Sequence, residues 1–229
     1  MRKIQRLAAV GVMAALTVAL GACGNEEEPA AAPATTAPEA AAPTSESTTA
    51  ADDGVTEIQD ITGPACSQVP TSGEGSAAGM VDDPVATAAS NNPLLETLVA
   101  AVTAANLGDT LNSAEAITVF APINSAFEAL PPGTVEQLTT APDAAEPTSQ
   151  LSQILTTHVV GTRYDAEGLS SAGTVESLQA GSELTIGGTA PDALTVSSGG
   201  VTANVVCGNV PTANATVFLI DKVMMPAAN

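Results

Sequence analysis

From Asn25 to about Asp60 the chain reads NEEEPAAAPATTAPEAAAPTSESTTAADDGVTEIQD, with almost no large apolar residue before Val55 and Ile58. A segment of this make-up cannot bury enough apolar surface to offset the entropy of ordering it. Residues 23–60 are therefore expected to be a linker, and any fold has to be built from residues 61–229 as one domain. Proline-rich chain favours extended geometry at about 3.1 Å per residue, which gives the linker a reach on the order of 90 Å when stiff. Its Thr, Ser and Pro content admits O-glycosylation, but a plain solvated linker is the favoured reading.

Ahead of the linker, Arg2, Lys3 and Arg6 precede an uninterrupted run of apolar, Gly and Thr residues from Leu7 to Leu20, followed by small Gly21 and Ala22. This is the three-part pattern of a secretory signal, here residues 1–22. The run of 14 residues is shorter than the roughly 20 that a membrane-spanning helix needs. Leu20-Gly21-Ala22-Cys23 resembles a bacterial lipobox, in which the cysteine is acylated with diacylglycerol and becomes the new N-terminus. Two or more acyl chains would anchor the protein stably to the outer face of the cell membrane. An ordinary secretory peptide ending by chance in a cysteine is the alternative, and it would give a released form.

Charge narrows the partners. Asp and Glu number 25 against 5 Lys and Arg, for a formal charge of -20, and loss of the leader with its three bases takes it to -23. Such a surface repels nucleic-acid backbones and anionic lipid headgroups, so membrane contact is expected through the lipid on Cys23 alone. No Trp, one Tyr (Tyr164) and three Phe leave few stacking platforms, and aliphatic packing has to carry the fold.

Within residues 61–229, Asp83-Pro84 and Asn92-Pro93 read as helix starts, a capping side chain followed by a proline suited to the first helical position. Leu95, Leu98, Val102 and Ala105 then give a helix an apolar stripe that ends near Gly108. Shorter helices are expected at Ser125 to Leu130, Thr134 to Leu138 and Gln150 to Thr157. The second half is punctuated by Gly and Pro into β-prone runs at Thr174 to Gln179, Glu183 to Ile186, Ala193 to Ser197, Val201 to Val206 and Thr216 to Met224, an antiparallel meander. In the last run Val217, Leu219 and Val223 alternate with Phe218, Ile220 and Met224, so both faces are apolar and the strand is expected to be central. The fold class is α+β.

Once Cys23 is acylated, Cys66 and Cys207 are the cysteines that remain, and in oxidising surroundings they are expected to pair. A reactive thiol or a metal site is the competing reading, but two cysteines and the lone His158 make a poor ligand set. No G-x-S-x-G, H-E-x-x-H, P-loop, dinucleotide or calcium-loop pattern occurs, so no enzyme activity, cofactor or metal is expected. Asn214-Ala215-Thr216 fits an N-glycosylation pattern but reads better as a turn.

Thr118-Val119-Phe120-Ala121-Pro122-Ile123-Asn124-Ser125-Ala126-Phe127 resembles the first signature of fasciclin domains. The run from Thr212 to Pro226, with Asn214, Ile220, Asp221, Val223 and Pro226, is similar to the second, and Leu155 to Val160 to the central Tyr-His segment. Gly63 to Cys66, Met80 to Pro93 and Asn204 to Gly208 look like the actinobacterial secreted immunogenic antigens and their lipoprotein relative. Ile123 stands where a small polar residue is usual, and Thr157 replaces the tyrosine. The resemblance implies a wedge of two β-sheets with helices along one side. It implies structural roles for Phe120, Pro122, Asn124, Phe127, Asn214, Ile220, Asp221, Val223 and Pro226, and an interaction segment at Thr157, His158, Val159 and Val160. It also implies a monomeric surface module for adhesion or protein contact, with an extracellular or envelope protein, a host matrix or a receptor as partner. A carrier of a small apolar ligand or lipid and an envelope spacer are the other readings.

Overall fold

The computed structural model describes residues 54–226. The leader, Cys23 and the linker as far as residue 53 lie outside the described residues. The helices are α1 Ala77–Met80, α2 Val85–Ser90, α3 Glu96–Ala104, α4 Gly108–Ser113, α5 Asn124–Glu128, α6 Thr134–Thr139, α7 Gln150–Thr157 and α8 Ala166–Ala172. The strands are β1 Ile117–Pro122, β2 Val159–Val160, β3 Thr174–Glu176, β4 Glu183–Thr189, β5 Ala193–Ser198, β6 Val201–Pro211 and β7 Ala215–Ile220. This is the α+β content expected from the sequence.

The strands follow the order β2-β1-β7-β6-β5-β4-β3. β3 to β7 form the expected antiparallel meander, while β1 enters beside β7 and runs parallel to it from Ile117 opposite Ala215 to Pro122 opposite Ile220. The two sheets of the expected wedge are continuous through β6, whose first part pairs with β5 and whose second part pairs with β7. Register shifts between Val205 and Val210 turn the strand from one sheet into the other. Bulges do this by inserting unpaired residues that bend and twist a strand. A bridge between Val160 and Ser177 brings the two ends of the strand order together, so the sheet is nearly a barrel.

Side-chain alternation assigns the two faces of β1 and β7 to different interiors. Ile117, Val119, Ala121, Val217 and Leu219 face the helices, where they pack with residues of α1 to α4 and α7. Phe120, Phe218 and Ile220 face the opposite way, into the barrel with Leu169, Leu184, Leu194 and Val196. The Phe120 and Phe218 rings lie 5.6 Å apart, within the range of favourable aromatic pairs. A strand buried on both sides is what the double apolar pattern of residues 216–224 required.

Three local expectations need correction. Asp83 does not cap α2: Asn214 Oδ1 accepts from the Val85 N–H at 2.9 Å, and Asn112 Oδ1 accepts from Ala86. The stripe beginning at Leu95 ends earlier than Gly108, because Asn106 takes a left-handed conformation and Gly108 opens α4. Residues 58–60, in the stretch expected to be linker, form a 3-10 turn whose Asp60 carbonyl accepts from Asn209 Nδ2. Gly54 is also held in place, its carbonyl accepting from Thr216 Oγ1, and its φ of +67° suits glycine where a Cβ would strike the Arg163 carbonyl.

Cys66 and Cys207 form a disulfide across 141 residues, joining the domain's entry to β6. Closing a loop of this length restricts the unfolded chain by about 5 kcal/mol on the chain-entropy account. The double substitution Cys66→Ala with Cys207→Ala is expected to lower the unfolding free energy by about 4–5 kcal/mol in denaturant titration. A loss under about 1 kcal/mol would show that the link restricts little.

Candidate functional site

α7 ends at the lone histidine, His158, immediately before β2. The helix starts at Ser149, whose hydroxyl accepts from Ser152 N–H, and it buries Leu151, Ile154 and Leu155 on one face. Its last carbonyls have no partner within the helix. His158 supplies one: Nδ1–H donates to the Ile154 carbonyl at 2.7 Å. That bond sets the tautomer, so Nε2 accepts from the Met224 N–H at 3.0 Å. The ring therefore ties the end of α7 to the C-terminal tail.

The neighbouring residues are equally committed. Thr157 Oγ1 donates to the Gln153 carbonyl, the His158 carbonyl accepts from Phe120 N–H, and the Val159 carbonyl accepts from Leu178 N–H. Val159 and Val160 pair with Val119 and Thr118. Thr157, His158, Val159 and Val160 are all buried. This corrects the expectation of a segment open to a partner: its polar groups close backbone hydrogen bonds and its valines fill the sheet.

Burial pushes His158 from its ordinary value of 6.5 down to about 4, against the pull of the Ile154 carbonyl, which favours the charged ring. A proton on Nε2 would also face the Met224 N–H, donor against donor. With both nitrogens engaged in this way, the ring has no free lone pair for general-base work or metal ligation. Among the described residues, no three His, Cys, Asp or Glu side chains are grouped to hold a metal ion.

The signature residues are fastenings. Asn214 lies at the β6–β7 turn; its Nδ2 donates to the Leu111 and Ala114 carbonyls while Oδ1 caps α2, so one amide joins two helices to the sheet. Buried and fully used, it leaves no group for a glycan, in keeping with its reading as a turn residue. Asn124 accepts from Thr97 N–H and donates to the Pro93 carbonyl, fixing α5 to the start of α3. Asp221 accepts from the Asn204 N–H and from Asn204 Nδ2, both at 2.7 Å. Phe120 and Ile220 fill the barrel, Val223 packs beside Ile154 with Phe127 against them, Pro122 ends β1, and Pro226 is half-buried.

One feature has no counterpart in the sequence expectations, and a second bears on the carrier reading. Asn209, in a left-handed conformation at the bulge of β6, accepts from the Ala166 N–H that opens α8. The second is a cavity of about 310 Å³ between α2 to α4 and the sheet, lined mainly by aliphatic side chains and reached by His158 and Val159. An asparagine beside a glycine hints at the first; no periodicity reveals the second, because it is formed by several elements at once.

The family model described as "Fasciclin domain" matches residues 93–226. Cell surface glycolipoprotein MPB83 of Mycobacterium bovis is 48% identical over 178 residues, covering 74% of this chain and 74% of that protein. Immunogenic protein MPT70 of Mycobacterium tuberculosis is 45% identical over 178 residues, covering 74% of this chain and 84% of the relative. Protein sll1483 of Synechocystis is 40% identical over 141 residues, covering 60% and 71%. A solved FAS1 domain pair from the insect cell adhesion molecule Fasciclin I superposes with a TM-score of 0.47 at 22% identity, covering 57% of this chain and 45% of that one.

Two measurements check the fastenings. Because the folded state holds His158 neutral, the unfolded chain takes its proton first. The stabilisation is therefore complete above pH 6.5 and declines as pH falls toward about 4. Over that window wild type is expected to lose about 3 kcal/mol more than His158→Gln in urea titrations, and parallel pH profiles would refute the assignment. Asn214→Ala, which strands a buried N–H and two carbonyls, is expected to cost about 2–4 kcal/mol in the same titrations at pH 7.

Proposed function

The chain belongs to the fasciclin family, and from that premise we propose that it is a cell-surface binding module. In this reading the domain makes protein–protein contacts in adhesion or envelope assembly. The chain is exported by residues 1–22, held at the membrane's outer face by lipid on Cys23, and lifted from it by the linker that follows. The observation that carries the reading is the extent of the likeness to a protein named a cell surface glycolipoprotein, 48% identity over 178 residues. No helix among the described residues is long and apolar enough to cross a membrane.

The structure supports binding over catalysis through the lone histidine, whose two ring nitrogens are both spent on backbone groups. It also limits where a partner can sit. With residues 157–160 buried, contact has to fall on the exposed surface of helices and barrel. Arg163 and Lys222 are the bases of residues 54–226, and Arg163 donates to Thr216 Oγ1 and to the Thr212 and Ala215 carbonyls. An acidic exterior of this kind suits a partner that presents a basic face, which it would attract at long range and lose as salt rises.

Chemical cross-linking on intact native cells tests the reading. Wild type is expected to be protease-accessible, to partition into detergent and to form adducts with another envelope or extracellular protein. Cys23→Ala is expected to leave the membrane fraction, and added salt to reduce the adducts. A chain that reaches the surface yet forms no adduct, in cells whose attachment is unchanged by its deletion, would favour a spacer and overturn the binding role.

A further inference from the structure

The cavity between the helices and the sheet is unlike the rest of this interior. Folded domains pack at crystal-like density, with few voids larger than a water molecule. Here about 310 Å³ lies under α2, α3 and α4, at the lower end of the roughly 300–1,000 Å³ typical of small-molecule sites. Its deep lining includes Val119, Val217 and Leu219 of the sheet and Leu98 of α3, all buried. Its outer lining includes half-buried Val99, Val102 and Leu107 and the exposed Leu178, so apolar surface continues to the mouth. α2 turns Ala86, Ala88 and Ala89 toward the space, where any longer side chain would fill it.

We propose that this cavity binds one uncharged aliphatic chain. Its lining excludes other classes of guest. The buried polar side chains that reach it are already paired: His158 with Ile154 and Met224, Thr212 with Ala215, Asn92 with Leu94. No Lys or Arg lines it, and the single charged lining residue is Asp109, on the exposed side. A carboxylate or phosphate at the mouth would find no counter-charge and one repelling neighbour. An aromatic guest would meet mostly aliphatic walls, because the Phe120 ring turns away into the barrel. An apolar cavity of about 150 Å³ stays dry and takes a benzene-sized guest, so this one has room for about twice that, on the order of ten to twelve carbons. The site lies on the helix side of the sheet and stands independently of the adhesion reading.

The test uses the full chain carrying Cys23→Ala, so that its own acyl groups do not compete, with 1-decanol as the probe and methyl resonances of Leu98, Val119 and Val217 as the readout. Saturable one-to-one binding is expected, with decanoate at pH 7 at least tenfold weaker. Val102→Phe and Ala89→Phe, both half-buried positions of the lining, are each expected to weaken decanol binding at least tenfold while thermal unfolding shows the protein folded. Should one of the two fail to fold, the other reads the same contact. Dioctanoylglycerol against decanol then separates a lipid source from a free aliphatic compound. Absence of saturation up to the solubility limit of decanol, unchanged affinity in a folded filled variant, or equal affinity for decanoate would each overturn the proposal.

Discussion

β1 and β7 run parallel at the heart of the sheet, and parallel neighbours cannot be joined by a tight turn. The whole stretch from residue 123 to residue 214 is therefore the crossover between them, and it is long enough to carry α5 to α8 and to build the barrel from β2 to β6. Because both strands are buried on two faces, the chain before β1, joined by α7, supplies a helical layer for one face while the rest of the chain after β1 supplies a barrel for the other. Ordering this pair commits the topology of everything else.

Long-range pairing of this kind leaves the ends of short helices in need of partners, and the protein meets that need with single buried polar side chains. Asn214 serves α2 and α4, Asn124 serves α3, Asn209 serves α8 and His158 serves α7. The three asparagines reach helix ends far away in the chain, while His158 closes its own helix and joins it to Met224 of the C-terminal tail. These groups are costly to bury alone and specific when paired, so they fix where each helix docks on the sheet. The fasciclin signatures coincide with several of them, which gives those motifs a physical reason that does not depend on contact with a partner.

The same architecture separates two surfaces by chemistry. The exterior is acidic and nearly free of bases, a property of composition that bears on long-range attraction. The space under the helical layer is mainly aliphatic and lacks any Lys or Arg, a property of arrangement that bears on what can be held at short range. The two lie on opposite sides of the helical layer and answer to different forces.

The residues alone determined the division into leader, linker and folded part as an expectation, and they determined the α+β content, the helix over Gln150 to Thr157, the meander and the central last strand. Those are local: periodicity, capping and turn residues act within a few positions, and a run apolar on both faces has few places to go. Tertiary structure decided that Asn214 caps α2 in place of Asp83, that β6 bends through a bulge to serve two sheets, that residues 157–160 face inward, and that alanines of α2 and valines of the sheet enclose a cavity. Each of those depends on atoms many residues apart meeting at one point, and no pattern along the chain encodes the distance between them.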